Sequence, residues 1–324
     1  MSNKKEKEEK ITYHNIKRAT NLSIGTISRY FNNGSISSKA RKEIEKYIKK
    51  TNYKPNIGAK LIKGYDNSVY LVVCNIKELA ILDIVSAITN CFKLKGINVY
   101  VVISSYDHDE YFESLKKTIN RKPKTLILLT PIMSDKLRNY INSINIDTYV
   151  YGDDTTNKPT ISIDEKKMMY DLTSLIIKNN KFKKIIYIGK NETDYTTGKL
   201  RYEGFKKSII QSTIDYEKYL IENNTVNDIE KLVKKIKHKL KDPNLIIICG
   251  THTIFKYLIF EKYINRFRYE LTDIGYTNEY DYIDNTYKYK IFIDFYKIGY
   301  LLYKFKNNKI QQNTVINNFL IIEK

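Results

Sequence analysis

Residues 22 to 32 have the sequence Leu-Ser-Ile-Gly-Thr-Ile-Ser-Arg-Tyr-Phe-Asn, and this stretch decides how the first part of the chain folds. Ile24, Ile27 and Phe31 lie at positions i, i+3 and i+7, which puts three apolar side chains on one face of a helix. Polar and small residues fill the positions between them. The spacing therefore predicts a short amphipathic helix over residues 24–31.

A tight turn and a second short helix precede this stretch. Asn21 tolerates the left-handed backbone that a tight turn requires, and Ser23 is a preferred N-cap residue for the helix that follows. Residues 13–20 place Ile16 and Ala19 three positions apart, as one face of a helix requires. The two segments together predict a helix, a turn and a helix.

A third helix is predicted over residues 38–51. Ala40 and Ile44 lie at helical spacing, and Ser37 is placed to cap the first turn. The helix ends before Pro55, because a proline disfavours helical backbone in the residue that precedes it. The segment is thus predicted to be a three-helix bundle that contains a helix-turn-helix.

The net charge of +20 is concentrated in this segment. Residues 1–64 hold 16 of the 56 Lys and Arg residues but only 5 of the 36 acidic residues. Such an asymmetry is expected where a polyanion docks, since phosphate neutralisation and counterion release drive nucleic-acid binding. The alternative interpretation is a solvated basic surface that maintains solubility.

Beyond residue 67 the pattern changes to that of an α/β fold. Short β-branched runs alternate with amphipathic stretches, which is typical of parallel sheets in doubly wound units. Seven or more such units exceed one compact sheet, so two lobes are predicted, with a ligand site in the cleft between them. The predicted strands are 69–74, 98–103, 125–129, 148–151, 185–188, 245–249 and 271–274, and the predicted helices are 80–95, 109–120, 134–144, 165–180, 199–211, 227–241, 252–264 and 295–306.

These patterns predict four regions in the chain. Residues 1–10 are polar or charged after Met1 and are expected to be a disordered tail. The remaining regions are a DNA-binding domain at 11–54, a hinge at 55–67 and an effector-binding core at 68–324, and a family resemblance adds dimerisation to the role of this core. Within the core, the first lobe is expected to take residues 68–160 and 295–314, and the second lobe residues 161–294 and 315–324.

Several classes of protein are disfavoured. Cys74, Cys91 and Cys249 are far apart and form no C-x-x-C pair, so buried free thiols are expected instead of disulfides or a metal site. The first ten residues contain no apolar stretch, and no segment approaches a membrane span, so a cytoplasmic protein with no membrane partner is predicted. The usual nucleotide, zinc and hydrolase motifs are absent, and no cofactor, metal or catalytic residue is predicted.

Residues 12–62 resemble the headpiece of the lac repressor family. The resemblance rests on Thr12 to Ile16, on the stretch from Leu22 to Asn32, and on Ile36, Ser37, Arg41, Asn52, Tyr53, Pro55, Asn56 and Ala59. It continues more weakly through Asp164, residues 181–185 and the run Arg201-x-x-Gly204-Phe205. The resemblance implies a two-lobed core like that of periplasmic binding proteins, and a homodimer on a palindromic operator in double-stranded DNA.

The resemblance assigns base reading to Ile24, Gly25 and Arg29. The second helix of a helix-turn-helix enters the major groove with its first residues against the base edges. Arg29 is expected to offer a bidentate fork to guanine, and Ile24 to pack on a thymine methyl group. Gly25 has no side chain to contact a base and allows close approach of the backbone.

A second group of residues is expected to contact phosphates or to cap helices, and such contacts fix the register of the protein on DNA without recognising sequence. For Ser23 a pure N-cap is an equal alternative. This group comprises Thr12, Ser23, Thr26, Ser28 and Asn32.

The hinge contributes Ala59, Leu61 and Ile62 to the expected minor-groove contact. Ile62 matches the hinge leucine that the family wedges between base pairs, at a cost of unstacking that the bent DNA offsets. Leu61 takes this role if the register differs by one. The alternative for Ile62 is packing against the hinge of a dimer partner.

In the core the resemblance points to Arg201, Thr197 and His252 as effector contacts. Arg201 suits hydroxyl-rich or anionic ligands, and its alternative is a salt-bridged surface arginine. His252 is a candidate for proton sensing or phosphate binding, against the alternative of an ordinary hydrogen-bonding residue. Thr251-His252 replaces the family's Asn-Asp pair, and Gly275-Tyr276-Thr277-Asn278 lacks its acid, so a simple sugar is not indicated. The effector is phosphorylated, is a protein or is absent.

The sequence thus predicts a DNA-binding transcription regulator. The expected activity is repression of carbohydrate or related metabolic genes by a dimer, with operator binding modulated by a ligand or protein in the cleft. A solute-binding protein is one alternative, although it would carry a signal peptide in place of a basic headpiece. A nucleoid-associated protein that coats DNA without sequence preference is the other.

Overall fold

The computed structural model divides into two compact units, Met1–Asp66 and Asn67–Lys324. The predicted tail, Asn32 and the predicted hinge with Ala59, Leu61 and Ile62 lie outside the described residues. The structure describes residues 11–31, 34–53, 68–74, 79–130, 133–179, 181–222, 225–308, 313–317 and 319–324.

The described residues of the first unit form three helices, and their bounds match the predicted ones. Ile16, Ile27 and Ile44, one from each helix, are fully buried and form its core. The Tyr13 ring stacks on Phe31 with 5.4 Å between the centroids. The helices are α1 (Tyr13–Thr20), α2 (Ile24–Phe31) and α3 (Ser38–Thr51).

Local interactions fix where these helices begin and end. Asn21 ends α1 in the left-handed conformation with φ 56°, as predicted. The Ser23 hydroxyl accepts a hydrogen bond from the Thr26 amide at 3.0 Å, so Ser23 caps α2. Ser37 accepts from the Ala40 amide at 3.2 Å and caps α3. Each predicted cap is therefore confirmed.

In the second unit the part of the chain that the structure describes forms two six-stranded sheets. The first sheet has the order β11-β5-β4-β3-β1-β2, and its neighbouring strands pair in parallel. Its strands are β1 (Val69–Val73), β2 (Val99–Ile103), β3 (Thr125–Leu129), β4 (Asp147–Tyr151), β5 (Thr160–Ile163) and β11 (Thr314–Ile316).

The second sheet has the order β12-β10-β9-β8-β6-β7 and is parallel except for β12, which pairs antiparallel with β10. The parallel-dominated α/β fold class is thus confirmed, with one antiparallel edge strand that the strand-helix alternation did not predict. Its strands are β6 (Lys184–Lys190), β7 (Asp215–Ile221), β8 (Leu245–Cys249), β9 (Glu270–Gly275), β10 (Tyr289–Ile293) and β12 (Phe319–Glu323).

Helices cover these sheets, and the central strands are buried. All five residues of β1, β3 and β8 are buried, as expected for parallel strands with helices on both faces. The helices of this unit are α4 (Leu79–Lys93), α5 (His108–Ile119), α6 (Asp135–Ser143), α7 (Glu165–Asn179), α8 (Arg201–Ile209), α9 (Val226–Ile236), α10 (His252–Asn265) and α11 (Phe295–Asn308).

The structure differs from the predicted elements in several places. The predicted helix over 199–211 is a π-helical turn (Tyr195–Leu200) followed by α8, and the one over 227–241 ends as α9 at Ile236, before a 3₁₀ turn (Lys239–Lys241). The first sheet includes β5, which ends at Ile163, and β11, which ends at Ile316. It therefore extends past residues 160 and 314, where the two segments of the first lobe are expected to end. Strands β5, β7, β10, β11 and β12 were not predicted.

Two further predictions concern the cysteines and membrane-spanning helices. Cys74, Cys91 and Cys249 are buried free thiols, as predicted. None of the helices in the described part of the chain is both long and apolar enough to cross a membrane.

Candidate functional site

Helix α2 presents the residues predicted to contact bases. Ile27 points into the core of the first unit, whereas Gly25 and Arg29 are exposed and Ile24 is half-buried. Because Gly25 and Arg29 lie four residues apart, they share one face of the helix. A Cβ added to Gly25 would make one ordinary contact, with Ser23 Oγ at 3.7 Å. The face is therefore open to another molecule.

Polar side chains at the starts of α1 and α2 are already held in place. The Thr12 amide and hydroxyl both donate to Asn15 Oδ1, at 2.9 and 2.7 Å. The Ser23 and Thr26 hydroxyls lie 2.9 Å apart. Ser28 is half-buried on the same helix. For Thr12 and Ser23, the predicted capping role is therefore present, and phosphate contact stays a prediction.

In the second unit a cavity of about 210 Å³ lies at the carboxyl ends of the strands of both sheets. Leu129, Tyr151 and Ile163 from the first sheet contribute to one side, and Lys190 and Ile293 from the second sheet to the other. Ligands of doubly wound folds bind at such strand ends, where loops leave the sheet in opposite directions. The predicted effector residues Arg201, Thr197 and His252 all line this cavity.

Arg201 is held by a buried ion pair. The Nε atom donates to Glu165 Oε2 at 2.7 Å, and the guanidinium also donates to the Gly250 carbonyl. The two side chains are 8% and 9% exposed. Burial would lower the pKa of Arg201, but the carboxylate of Glu165 raises it. Arg201 is thus salt-bridged, but its side chain is buried at the cavity wall, so it is not a surface arginine.

Thr197 belongs to a cluster around Asp194. The Asp194 carboxylate accepts hydrogen bonds from the Thr197 amide and hydroxyl, both at 2.9 Å, and from Lys190 Nζ at 3.2 Å. Burial tends to raise the pKa of Asp194, but the charge of Lys190 and the bonds from Thr197 lower it overall. The Thr197 hydroxyl therefore donates its hydrogen to Asp194, and any ligand meets it as an acceptor.

His252 begins α10 and is held by a buried acid. Its Nδ1 atom lies 2.7 Å from Asp273 Oδ1, and Asn278 donates to the other Asp273 oxygen at 3.1 Å. Lys290, fully buried, lies 3.5 Å from that second oxygen and donates to Asp281 at 2.7 Å. Burial tends to raise the pKa of Asp273, but its bond to His252 and the charges nearby lower it.

The sequence alone did not identify the residues that orient the predicted ones. They are three acids: Glu165 accepts a hydrogen bond from Arg201, Asp194 accepts one from Thr197, and Asp273 Oδ1 lies within hydrogen-bond distance of His252 Nδ1. One pattern was informative: Asp273 lies inside the predicted strand 271–274, and an acid that is buried there requires a partner. Nothing in the sequence indicated that this partner would be His252, which lies 21 residues away.

Comparison with known proteins relates the chain to transcription regulators. No protein-family model matches it. It is 24% identical over 212 residues to the HTH-type transcriptional regulator RegA of Clostridium saccharobutylicum, a match that covers 64% of this chain and 63% of that protein. It is 20% identical over 222 residues to the sucrose operon repressor of Staphylococcus xylosus, covering 67% and 69%. The chain thus spans slightly less than two thirds of the length of RegA.

The fold matches that of the lac repressor over nearly the whole chain. The lac repressor dimer bound to operator and the anti-inducer ONPF superposes with a TM-score of 0.80 at 15% identity, covering 97% of this chain and 98% of the other. A LacI family regulator from Silicibacter pomeroyi superposes with a TM-score of 0.74 at 14% identity. In sequence the chain is thus similar to these transcription regulators, and its fold is similar to that of the lac repressor, in agreement with the resemblance of residues 12–62.

Proposed function

We propose that this chain is a sequence-specific DNA-binding transcription regulator that represses carbohydrate or related metabolic genes. The observation that carries the proposal is α2, which follows a capped turn, buries Ile27 and exposes Gly25 and Arg29. A helix of this kind fits the major groove. The excess positive charge of residues 1–64 adds attraction to phosphates that is independent of sequence.

The relatives support the proposed activity. The sucrose operon repressor is a regulator by name, and the lac repressor structure contains operator DNA. For this chain we propose the same kind of partner, a palindromic site in double-stranded DNA. Neither a catalytic role nor a cofactor is part of the proposal, and the protein is proposed to act in the cytoplasm.

A homodimer is part of the proposal, and an exposed apolar face on the second unit supports it. Phe260, Tyr263 and Ile264 on α10 are 58%, 60% and 74% exposed. A second 3₁₀ turn (Glu279–Tyr282) contacts α10 through Tyr280 and Phe255, and its last residue Tyr282 and the next residue Ile283 are exposed as well. Clusters of exposed apolar side chains commonly mark protein contacts. A second copy of the chain would cover this face.

The cavity at the strand ends is the proposed effector site, with Arg201, Thr197 and His252 among its contacts. An effector alters operator affinity only if it binds the two lobe arrangements unequally, typically by about 1–3 kcal/mol. Whether it strengthens or weakens operator binding depends on which arrangement it favours.

The test is selection of bound sequences from random double-stranded DNA by the full chain. A palindromic consensus is expected, and the selected sequence should bind more tightly than a scrambled one of equal composition across a salt series. Equal binding of both sequences would favour the nucleoid-associated alternative. Absence of DNA binding together with sugar binding would favour a solute-binding protein.

A further inference from the structure

The cations in the wall of the cavity are paired with acids of the same wall. Arg201 Nε lies 2.7 Å from Glu165 Oε2, and Lys190 Nζ lies 3.2 Å from Asp194 Oδ2. All four of these residues line the cavity. Because each cation is balanced by its own acid, the two pairs present no net charge to a molecule that enters.

His252 also lines the cavity, and an acid balances it as well. Its Nδ1 atom lies 2.7 Å from Oδ1 of Asp273, a side chain that is fully buried. Lys290, behind this acid, donates to Asp281 at 2.7 Å. Even a protonated His252 ring would therefore face a carboxylate of the protein, so it adds no uncompensated positive charge to the cavity.

One further acid, Asp153, lines the cavity just after the end of β4. Its carboxylate accepts hydrogen bonds from the Thr155 amide at 2.8 Å and from the Thr155 hydroxyl at 2.5 Å. No cation pairs with it in the described part of the chain. On the other side of the cavity, the Thr197 hydroxyl donates to Asp194 and so meets a ligand as an acceptor. Both groups therefore suit a ligand that donates hydrogen bonds.

Much of the remaining cavity wall is apolar. Two tyrosines add exposed aromatic rings: Tyr106, which follows β2, is 43% exposed, and Tyr195, which begins the π-helical turn, is 42% exposed. Such side chains gain free energy when a ligand covers them with an apolar surface of its own. The aliphatic side chains come from α4 and from the strand ends of both sheets, and they are Ile81, Ile84, Leu129, Ile163, Ile274 and Ile293.

We propose that the effector is an uncharged cyclic alcohol, a molecule with an apolar ring and at least one hydroxyl group and without a phosphate or carboxylate. The ring packs on the aliphatic wall and the tyrosines, and the hydroxyl donates to Asp153 or Thr197. An anion would lose its hydration on entry without gaining an unpaired cation among the described lining residues. The inference rests on the proposed effector cavity and names the class of ligand that the cavity selects.

The test titrates four probes into the full chain without DNA: benzyl alcohol, benzoate, benzylammonium and glucose. The first three share one ring and differ in charge, and glucose has hydroxyl groups but no apolar ring. Saturation-transfer NMR measures the affinity of each probe. Benzyl alcohol is expected to bind about 10-fold or more tightly than either ion, because a buried ion requires an unpaired partner. It should also bind more tightly than glucose, since only its ring buries apolar surface.

Two substitutions should change which charge the cavity accepts. Glu165→Gln keeps an acceptor for Arg201 but removes the balancing charge, so benzoate affinity should rise about 10-fold or more. Asp194→Asn does the same beside Lys190, and it keeps the test decisive if Glu165→Gln does not fold. A purely structural role for these pairs would instead lower the affinity for every probe alike. Circular dichroism checks that each variant is folded.

A pair of tyrosine variants shows where the probe binds. Tyr195→Ala removes an exposed ring from the cavity and should weaken the binding of benzyl alcohol several-fold. Tyr300→Ala is the matched control, because Tyr300 is also 42% exposed but lies on α11 and outside this cavity. It should leave the affinity unchanged.

Several outcomes overturn the inference. Tighter binding of benzoate than of benzyl alcohol by the parent chain would mean that the cavity selects an anion, and tighter binding of benzylammonium would mean that Asp153 selects a cation. Preference for glucose, or no binding of any probe, would exclude an apolar ring. Weaker binding in Tyr300→Ala but not in Tyr195→Ala would place the probe elsewhere. The DNA selection experiment contains no probe and reports separately on the proposed function, so either proposal can fail while the other stands.

Discussion

Arg29 is the residue on which sequence recognition is proposed to depend most. Its side chain is exposed on α2, and a bidentate arginine-guanine contact discriminates by about 1–3 kcal/mol. Arg29→Ala is therefore expected to abolish the preference for the selected operator over random DNA, while salt-sensitive binding to random DNA remains. Fluorescence anisotropy on both DNAs measures this difference.

Arg29→Lys is the matched control for that experiment. Lysine keeps the charge but lacks the planar fork, so it should retain more non-specific affinity than alanine and still lose discrimination. Equal losses of affinity on operator and on random DNA would refute the base-reading role of Arg29.

Gly25 offers a test in which stability and binding change in opposite directions. A Cβ at this position would make only an ordinary contact with Ser23 Oγ, at 3.7 Å, so Gly25→Ala should stabilise α2 by about 0.5–1 kcal/mol. The added methyl group would also keep the backbone from approaching the DNA, and operator affinity should fall. Thermal unfolding and anisotropy measure the two effects, and a gain in affinity would contradict the close approach.

Asp273 links the stability of the second unit to pH. Its pKa lies below the ordinary value of 3.8 in the folded protein. The stability that it contributes is therefore fully present above pH 3.8 and is lost as the pH falls through the lower folded-state pKa. Asp273→Asn should destabilise the unit by roughly 3–5 kcal/mol at neutral pH and should flatten the loss of stability in acid.

Urea unfolding between about pH 3 and pH 7 measures the effect of this substitution. Asp154→Asn, at an exposed carboxylate, is the control and should behave like the parent chain. Parallel acid profiles for the parent and Asp273→Asn would show that Asp273 does not contribute the pH dependence.

Among the elements, α7 and α8 pack unusually closely at Gly204. A Cβ at this position would lie 2.2 Å from the Lys166 carbonyl oxygen and 3.1 Å from Met169 Cβ. Gly204→Ala must push the two helices apart, and overpacking of this kind costs about 1–3 kcal/mol. Calorimetry should show a lower transition temperature for the second unit, whereas Lys206→Ala, exposed on the same helix, should change it little. An unchanged transition in Gly204→Ala would contradict this close packing.

The elements that could be predicted from sequence are those with a clear pattern of apolar residues. β1, β3 and β8 are apolar throughout because helices cover both faces. β7 has the sequence Asp-Tyr-Glu-Lys-Tyr-Leu-Ile at the edge of its sheet and is largely exposed, so its sequence lacks that pattern. Whether such a segment forms an edge strand depends more on the strand that pairs with it than on its own residues.

At the scale of the whole molecule, the exposed face of α10 makes a prediction about assembly. Ile264 is 74% exposed at the end of that helix. Ile264→Asp would place a charge in the proposed dimer contact and should give a monomer with an unchanged unfolding temperature at low concentration. Sedimentation velocity measures the mass. Lys206→Ala, exposed on α8, should remain a dimer, and a dimeric Ile264→Asp would place the contact on another face.

The sequence by itself determined the headpiece and the α/β class of the core, because caps, turns and apolar spacing act over a few residues. It also pointed to Arg201, Thr197 and His252, which the structure brings to one cavity. Only the tertiary structure decided what holds them: Glu165 lies 36 residues from Arg201, and Asp273 lies 21 from His252. Glu165 and Arg201 are brought together by the packing of α7 against α8, and His252 and Asp273 by the packing of α10 against β9. No local pattern of residues records that packing.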